Sequence, residues 1–190
     1  MYNPGRIMLA NLRALFGVIV DIVFLRRGPE GLPASYTLLV CAVVLQFVVA
    51  AVMWLLTPVS PENVEAQLLI GSAATLLCYG AALWLSNKRE RFLQTMTATF
   101  ATGALFAPLL IPLFAAMLPY MKDMDKAAQP PFATSLLGAA LGGWLFIVQA
   151  RIVRVAFEWS WFAAIIFIFA QEMVGAGIYL QFFGVPPAAV

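Results

Sequence analysis

AQLLIGSAATLLCYGAALWLSNKRERFLQTMTATFATGALFAPLLIPL, residues 66–113, decides the fold of this chain. Two long apolar runs flank the charged pentapeptide NKRER at 87–91. About 20 mostly apolar residues suffice for a helix to cross a bilayer. Five residues between two such runs allow little more than a turn, so the runs predict neighbouring spans with Lys88, Arg89 and Arg91 on one side. Basic residues are retained preferentially in the cytoplasm, which makes that side the inside.

The same alternation extends in both directions. Apolar stretches at 35–56, 66–86, 92–118, 132–150 and 159–183 are each long enough to span. Nine of the 11 basic residues (Arg6, Arg13, Arg26, Arg27, Lys88, Arg89, Arg91, Arg151 and Arg154) fall in segments facing one side. Only Lys122 and Lys126 fall on the other, accompanied by Asp123 and Asp125, while the connection at 57–65 is acidic and contains Pro58 and Pro61. The expected fold is an all-α polytopic bundle of five transmembrane helices forming a single membrane domain over residues 1–190. Its N-terminus is inside, and its tail at 184–190 is outside. The expected location is the bacterial inner membrane.

Residues 4–27 follow a different pattern. Arg6, Ala10, Arg13, Gly17 and Asp21 recur at helical spacing along one stripe, and Leu9, Leu12, Leu15, Phe16, Ile19, Val23 and Phe24 occupy the remainder. This predicts an amphipathic helix lying in the cytoplasmic interface, with Arg26 and Arg27 beside the headgroups. Gly28, Gly31 and Pro33 are expected to end it. A sixth span here would bury Arg13 or Asp21. These same polar residues interrupt the apolar stretch that a secretory signal needs.

Composition supports the membrane reading and removes several functions. The chain is 63% hydrophobic and 11% charged, against roughly 45–50% and about 25% in soluble domains. No compact water-soluble fold of this size hides so much apolar surface. Histidine is absent, and Cys41 and Cys78 sit in apolar runs where thiols read as small packing groups. Zinc, haem and histidine-based catalysis therefore lack their usual ligands or base, and no cofactor is expected. The net charge of +2 comes from the clustered inner basics. It points to anionic headgroups on the cytoplasmic side rather than to nucleic acid.

Glu172 is the one formal charge near the middle of a span. A charged side chain there costs at least about 2.5–3.5 kcal/mol on insertion scales, so it is normally paired, protonated or facing a cavity. Gly175, Ala176 and Tyr179 share its helix face. Counting inward from the predicted ends puts Gln46, Thr75, Thr102 and Glu172 at one depth, with Gly142 and Gly143 at the same level of the fourth span. This candidate polar layer has two readings: a hydrogen-bonded knot holding helices together, or the lining of a small polar cavity.

Other features have structural and functional readings side by side. Ser135, Gly138 and Gly142 form a small-residue stripe continued by Gln149, and Gly138 and Gly142 are candidates for close helix packing. Pro108 and Pro112, one turn apart, predict a kink or local unwinding, with Thr95, Thr97, Thr99 and Thr102 available for the freed carbonyls. Arg26, Arg27, Lys88, Arg89, Arg91, Arg151 and Arg154 are candidates for contact with lipid phosphate or an acidic partner, set against a purely topogenic role. No nucleophile–base pair or phosphate loop is present to suggest an enzyme.

FLRRGPEGLPASYTLL at 24–39, preceded by the interfacial helix and followed by five spans, resembles bacterial members of the Yip superfamily. FLQTMTATFATGALFAPLLIPL at 92–113 is similar to that family's third span, with a threonine-rich start and later prolines. Arg26, Arg27, Gly28, Pro29, Pro33, Thr95 and Pro108 carry the resemblance. It implies a non-enzymatic integral scaffold or interaction protein. The expected function is accordingly an accessory, scaffold or assembly protein, partnered with another membrane protein or with further copies of itself. The alternative is a small transporter or channel using Glu172 and the kinked third span, which requires a water-accessible cavity reaching Glu172.

Overall fold

The computed structural model describes residues 4–57, 63–122 and 131–183, of which the side chains of 4–10 and of 64, 118, 119, 121 and 122 are not described. Six α-helices follow one another: α1 (Pro4–Val23), α2 (Tyr36–Leu56), α3 (Val64–Leu85), α4 (Phe92–Lys122), α5 (Phe132–Phe157) and α6 (Trp161–Phe183). No strand occurs among the described residues. Helices α2 to α6 are long and apolar enough to cross a membrane. Among the expected features, the 58–62 segment, Asp123, Asp125, Lys126 and the 184–190 tail lie outside the described residues, as do the side chains of Arg6, Ala10 and Lys122.

The helix ends carry recognisable local signals. Ser35 caps α2, its hydroxyl accepting from the Leu38 amide at 3.3 Å. Ser160 does the same for α6, accepting from the Ala163 amide at 3.2 Å. Three C-termini close alike, through a residue in the left-handed region: Leu25, Asn87 and Glu158, with φ between 55° and 59°. In each, the next amide reaches back five residues: Arg26 to Asp21, Lys88 to Leu83, and Trp159 to Arg154. This is the αL closure that commonly ends helices with glycine. A non-glycine residue there costs about 1–2 kcal/mol. Surrounding contacts must offset that cost.

Several boundaries differ from those expected. Gly28 and Gly31 do not end α1; the Leu25 closure does so first, and the Trp144 indole donates to the Val23 carbonyl at 3.1 Å. Helix α5 runs past 150 to Phe157, so Arg151 and Arg154 sit on its last two turns rather than in a loop. The reason is packing: Ile152, Val153, Ala156 and Phe157 are all buried and continue the inward face. Helix α4 extends to Lys122 without unwinding at Pro108 or Pro112, both on its exposed surface. The threonines do not serve the carbonyls those prolines free. Thr95 donates to Arg91 and Thr102 to Ala98 and Thr99, all N-terminal to Ala104, the first carbonyl released by Pro108.

The long helices alternate in direction around α4. Helix α2 runs parallel to α4 and packs along it, α5 packs antiparallel on the same helix, and α6 bridges α5 to α3. Helices α2 and α3, although consecutive, make at most glancing contact. The C-terminal part of α1 and the short 3-10 turn Pro29–Gly31 rest on α4 and α5, where Ile22 and Leu32 join Ala98, Val148 and Ile152. The Gln94 amide donates to the Leu32 carbonyl at 2.7 Å and fastens this corner.

The bundle therefore has two unlike ends. The end carrying Arg26, Arg27, the 3-10 turn Arg89–Arg91 and Glu158 is called the basic end, and the opposite one the far end. The interior of the basic end is filled by Tyr79, Phe157, Phe167 and Trp159, whose ring centroids lie 4.6–6.1 Å apart in edge and tilted arrangements. Tyr79 and Leu83 are 1% and 0% exposed in this plug. Such rings fill space with favourable quadrupole geometry, which matters where lipid offers no hydrophobic drive between helices. Cys78 is partly covered and Cys41 lies on the outer surface, so Cys41 is not a packing group within this chain.

Candidate functional site

Beyond the aromatic plug the helices part around a cavity of about 410 Å³. Every long helix contributes to it. Gln46 comes from α2; Gln67, Gly71, Ser72, Thr75 and Tyr79 from α3; Thr99, Phe100 and Gly103 from α4. Gly142, Leu145, Phe146 and Gln149 come from α5, and Ile168, Gln171 and Glu172 from α6. Gln46, Thr75 and Glu172, taken from the sequence as one layer, thus line a single space. Thr102 does not line it. Wholly buried, it donates to the Ala98 carbonyl at 2.8 Å and reaches the cavity only through Gln149.

Two hydrogen-bonded chains organise the wall. On one side the Gln149 amide nitrogen donates to the Thr102 hydroxyl at 3.1 Å and to the Thr99 carbonyl at 3.3 Å. On the other the Gln171 nitrogen donates to the Thr75 hydroxyl at 3.1 Å, and Thr75 donates to the Gly71 carbonyl at 2.8 Å. The same nitrogen lies 3.5 Å from a Glu172 carboxylate oxygen. Gln171 thereby joins α6 to α3 and orients the carboxylate beside it. Gln46 and Gln67 make no side-chain hydrogen bond to a described residue. Glu172 and Gln67 are exposed on the isolated chain, so the cavity has an open side.

Small residues shape this space rather than tighten helix contacts. A methyl at Gly103 would sit 2.9 Å from the Gln46 amide oxygen, so glycine there seats that side chain. Within the chain, Gly138 and Gly142 meet no closely packed helix. The nearest neighbour to a methyl at Gly138 is the Met117 sulfur at 3.8 Å, and nothing lies within 4 Å at Gly142. Gly142 instead widens the polar cavity. Gly138 lines a separate apolar groove with Trp54, Phe114 and Met117. Helix spacing alone identified the stripe, but only the neighbouring helices decide whether such a stripe meets a backbone or a void.

The basic end uses its charges differently. The Arg91 guanidinium donates to the Val155 and Ala156 carbonyls, each at 3.2 Å, and to Glu158 at 2.7 Å. Lys88 pairs with the other carboxylate oxygen of Glu158. Arg91 so satisfies terminal carbonyls of α5 and places positive charge at the negative end of its dipole. The hydrogen bonds from Lys88 and Arg91, then their positive charges, hold the Glu158 carboxyl below its ordinary value. Arg27 pairs with Asp21 at 3.2 Å. Arg26 lies over the Phe24 ring and Arg154 over Trp161, at 5.7 and 5.3 Å. Arg89 is exposed and Arg151 half-buried. The seven basic candidates therefore do not form one anion site. Lys88, Arg91 and Arg27 are engaged within the chain, and a shallow groove at Arg91 and Arg154 also carries Glu30 and Glu158.

Gln171 and Gln67 were missed as site residues: Gln67 lies near the start of its span, outside the mid-depth at which Gln46 was found, and Gln171 carries no charge to single it out beside Glu172. The available signal was adjacency, since Gln171 neighbours Glu172 on α6. Gln149 was visible on the Gly138–Gly142 stripe, yet its bond to Thr102 depends on how α5 meets α4. No protein family, no curated protein and no solved structure matches this chain.

Proposed function

We propose that this chain is a multi-pass protein of the bacterial inner membrane that holds a small polar solute between its helices, as a small carrier or channel does. The observation supporting it is unspent hydrogen-bonding capacity. Gln46 and Gln67 line the cavity without a side-chain partner among the described residues, beside the Glu172 carboxylate. A polar knot serving packing alone would pair its groups internally, because an unpaired polar group in an apolar medium costs several kcal/mol. Water or solute completes these groups instead. No catalytic step is part of this reading.

The basic end faces the cytoplasm under the rule that retains Lys and Arg inside. Gln67 stands in the first turns of α3, toward the far end, so the cavity reaches toward the outer half of the membrane. Leu12 and Phe16 are exposed on α1 and Phe24 just past its end, which suits a helix lying in the inner interface. Among the described residues, Arg13, Arg26, Arg89 and Arg154 are cations outside any ion pair and available to anionic headgroups.

The test is solvent access. With Cys41 and Cys78 replaced by alanine, Ser72→Cys and Gln67→Cys should each react with a water-soluble maleimide in membrane vesicles. Inert thiols at both positions would mean a dry interior and sink the solute-site reading.

A second reading keeps the accessory, scaffold or assembly role that the Yip resemblance implies, with a membrane-protein partner or further copies of the chain. It is favoured by the exposure of Glu172 and Gln67 on the isolated chain, since a neighbouring helix would cover them. Purification in mild detergent would decide between the two. A stable complex or oligomer that Glu172→Gln disperses supports the second reading.

A further inference from the structure

We infer that the solute is a small primary ammonium compound, with Glu172 as its counter-charge. This rests on reading the cavity as a solute site and goes on to specify its ligand. Glu172 carries the one formal charge in the lining, and no Lys or Arg lines the cavity. The electrostatic preference of the space is therefore for a cation.

Hydrogen-bond polarity narrows the class. The Thr75 hydroxyl gives its single proton to the Gly71 carbonyl, so toward Gln171 it accepts, and the Gln171 atom facing it must be the nitrogen. Gln149 is fixed by the same logic. Thr102 has given its proton to the Ala98 carbonyl, and the Thr99 carbonyl accepts only. Gln149 thus spends its nitrogen on a hydroxyl and a carbonyl, Gln171 on a hydroxyl and the Glu172 carboxylate, and neither amide oxygen has a donor among the described residues. The Gln149 oxygen is buried without accessible surface, so it is not offered to a solute in the cavity. Gln46 and Gln67 bring donors and acceptors alike, so the excess of acceptors at the space comes from the Glu172 carboxylate, with the Gln171 oxygen beside it. An ammonium group is its chemical complement, having three donors and no acceptor.

Size and wall chemistry argue against a bare metal ion. About 410 Å³ falls in the range of roughly 300–1,000 Å³ used for small organic ligands. Leu68, Leu145, Phe146 and Ile168 offer an apolar wall for a short carbon body.

The experiment uses the whole chain in lipid nanodiscs and three probes matched in size but not in charge: ethanolammonium, ethylene glycol and glycolate. Ethanolammonium should bind saturably and more tightly than either of the others. Glu172→Gln should weaken it at least ten-fold, and Glu172→Asp, which keeps the charge, should weaken it less. If the glutamine variant does not fold, the aspartate variant carries the test, and the preference for ethanolammonium must persist in it. Equal binding of ethylene glycol, or an affinity indifferent to position 172, overturns the ammonium class while leaving a solute site. Absence of saturable ethanolammonium binding also overturns it, even where Ser72→Cys reacts with maleimide. Inert thiols at both Ser72→Cys and Gln67→Cys overturn the cavity reading beneath it as well.

Discussion

At the basic end, Lys88, Arg91 and Glu158 spend their charges on one another and on the terminus of α5, and aromatic rings fill the interior between them and the cavity. Further along the same helices, Gln46, Gln67, Gln149, Gln171 and Glu172 surround about 410 Å³ of space, and part of their polar capacity is left unmet. Both regions are rich in polar groups for a membrane bundle, so polarity alone does not separate them. Pairing separates the cluster of Lys88, Arg91 and Glu158, whose charges meet one another, from the glutamines of the cavity, although Arg151 Nε at the basic end is also buried without a partner.

If this contrast is right, substitutions at the two regions should affect different measurements. The largest stability loss is expected for Arg91→Leu, which strands the Val155 and Ala156 carbonyls and leaves Glu158 with one partner. Thermal unfolding in detergent should register about 1–3 kcal/mol, the usual cost of unsatisfied buried acceptors. Glu172→Gln should do the reverse. It removes a mid-span charge without changing shape, so the melting temperature should hold or rise while ethanolammonium binding falls at least ten-fold. A matching stability loss at both positions would erase the distinction between the regions.

Smaller effects sharpen the boundary. Gly103→Ala drives a methyl toward the Gln46 amide, a flexible group that can swing away. Binding should fall by roughly three-fold, equivalent to about 0.6 kcal/mol, with little change in melting. Gly142→Ala meets nothing within 4 Å and should be tolerated in stability while reducing cavity volume.

Acid should weaken the ion pairs of the basic end. The Glu158 carboxyl lies below its ordinary value of 4.5, so its contribution is fully present above that pH and is lost as pH falls through its lower folded value. Glu158→Gln should flatten this acid limb of the stability profile. The smallest expected change is for Glu158→Gly. Relief of a left-handed residue, about 1–2 kcal/mol, is then set against lost ion pairs that are largely solvent-exposed.

Much of this architecture was legible in local composition. The five spans, the corner at Asn87 and the isolation of Glu172 follow from runs of apolar residues broken by charge. The misreadings share one origin. Arg151 and Arg154 marked a loop by charge, yet α5 continues because Ile152, Val153, Ala156 and Phe157 face a packed interior. Gly138 and Gly142 marked a close helix contact by spacing, yet within the chain no backbone meets them there. Arg91 counted as topogenic charge, while its use as a cap depends on the end of α5 lying beside it.

By itself, then, the sequence determined that this is a bundle of five long apolar helices with its basic residues gathered at one end, because lipid as a solvent selects for length, apolarity and charge placement segment by segment. Which helices become neighbours was decided only in three dimensions. In α2 to α6 apolar residues occupy most faces, so little in the pattern says which face turns inward. Packing α2 along α4, and α3 against α6, brought Gln46, Thr75, Gln149, Gln171 and Glu172 around one cavity.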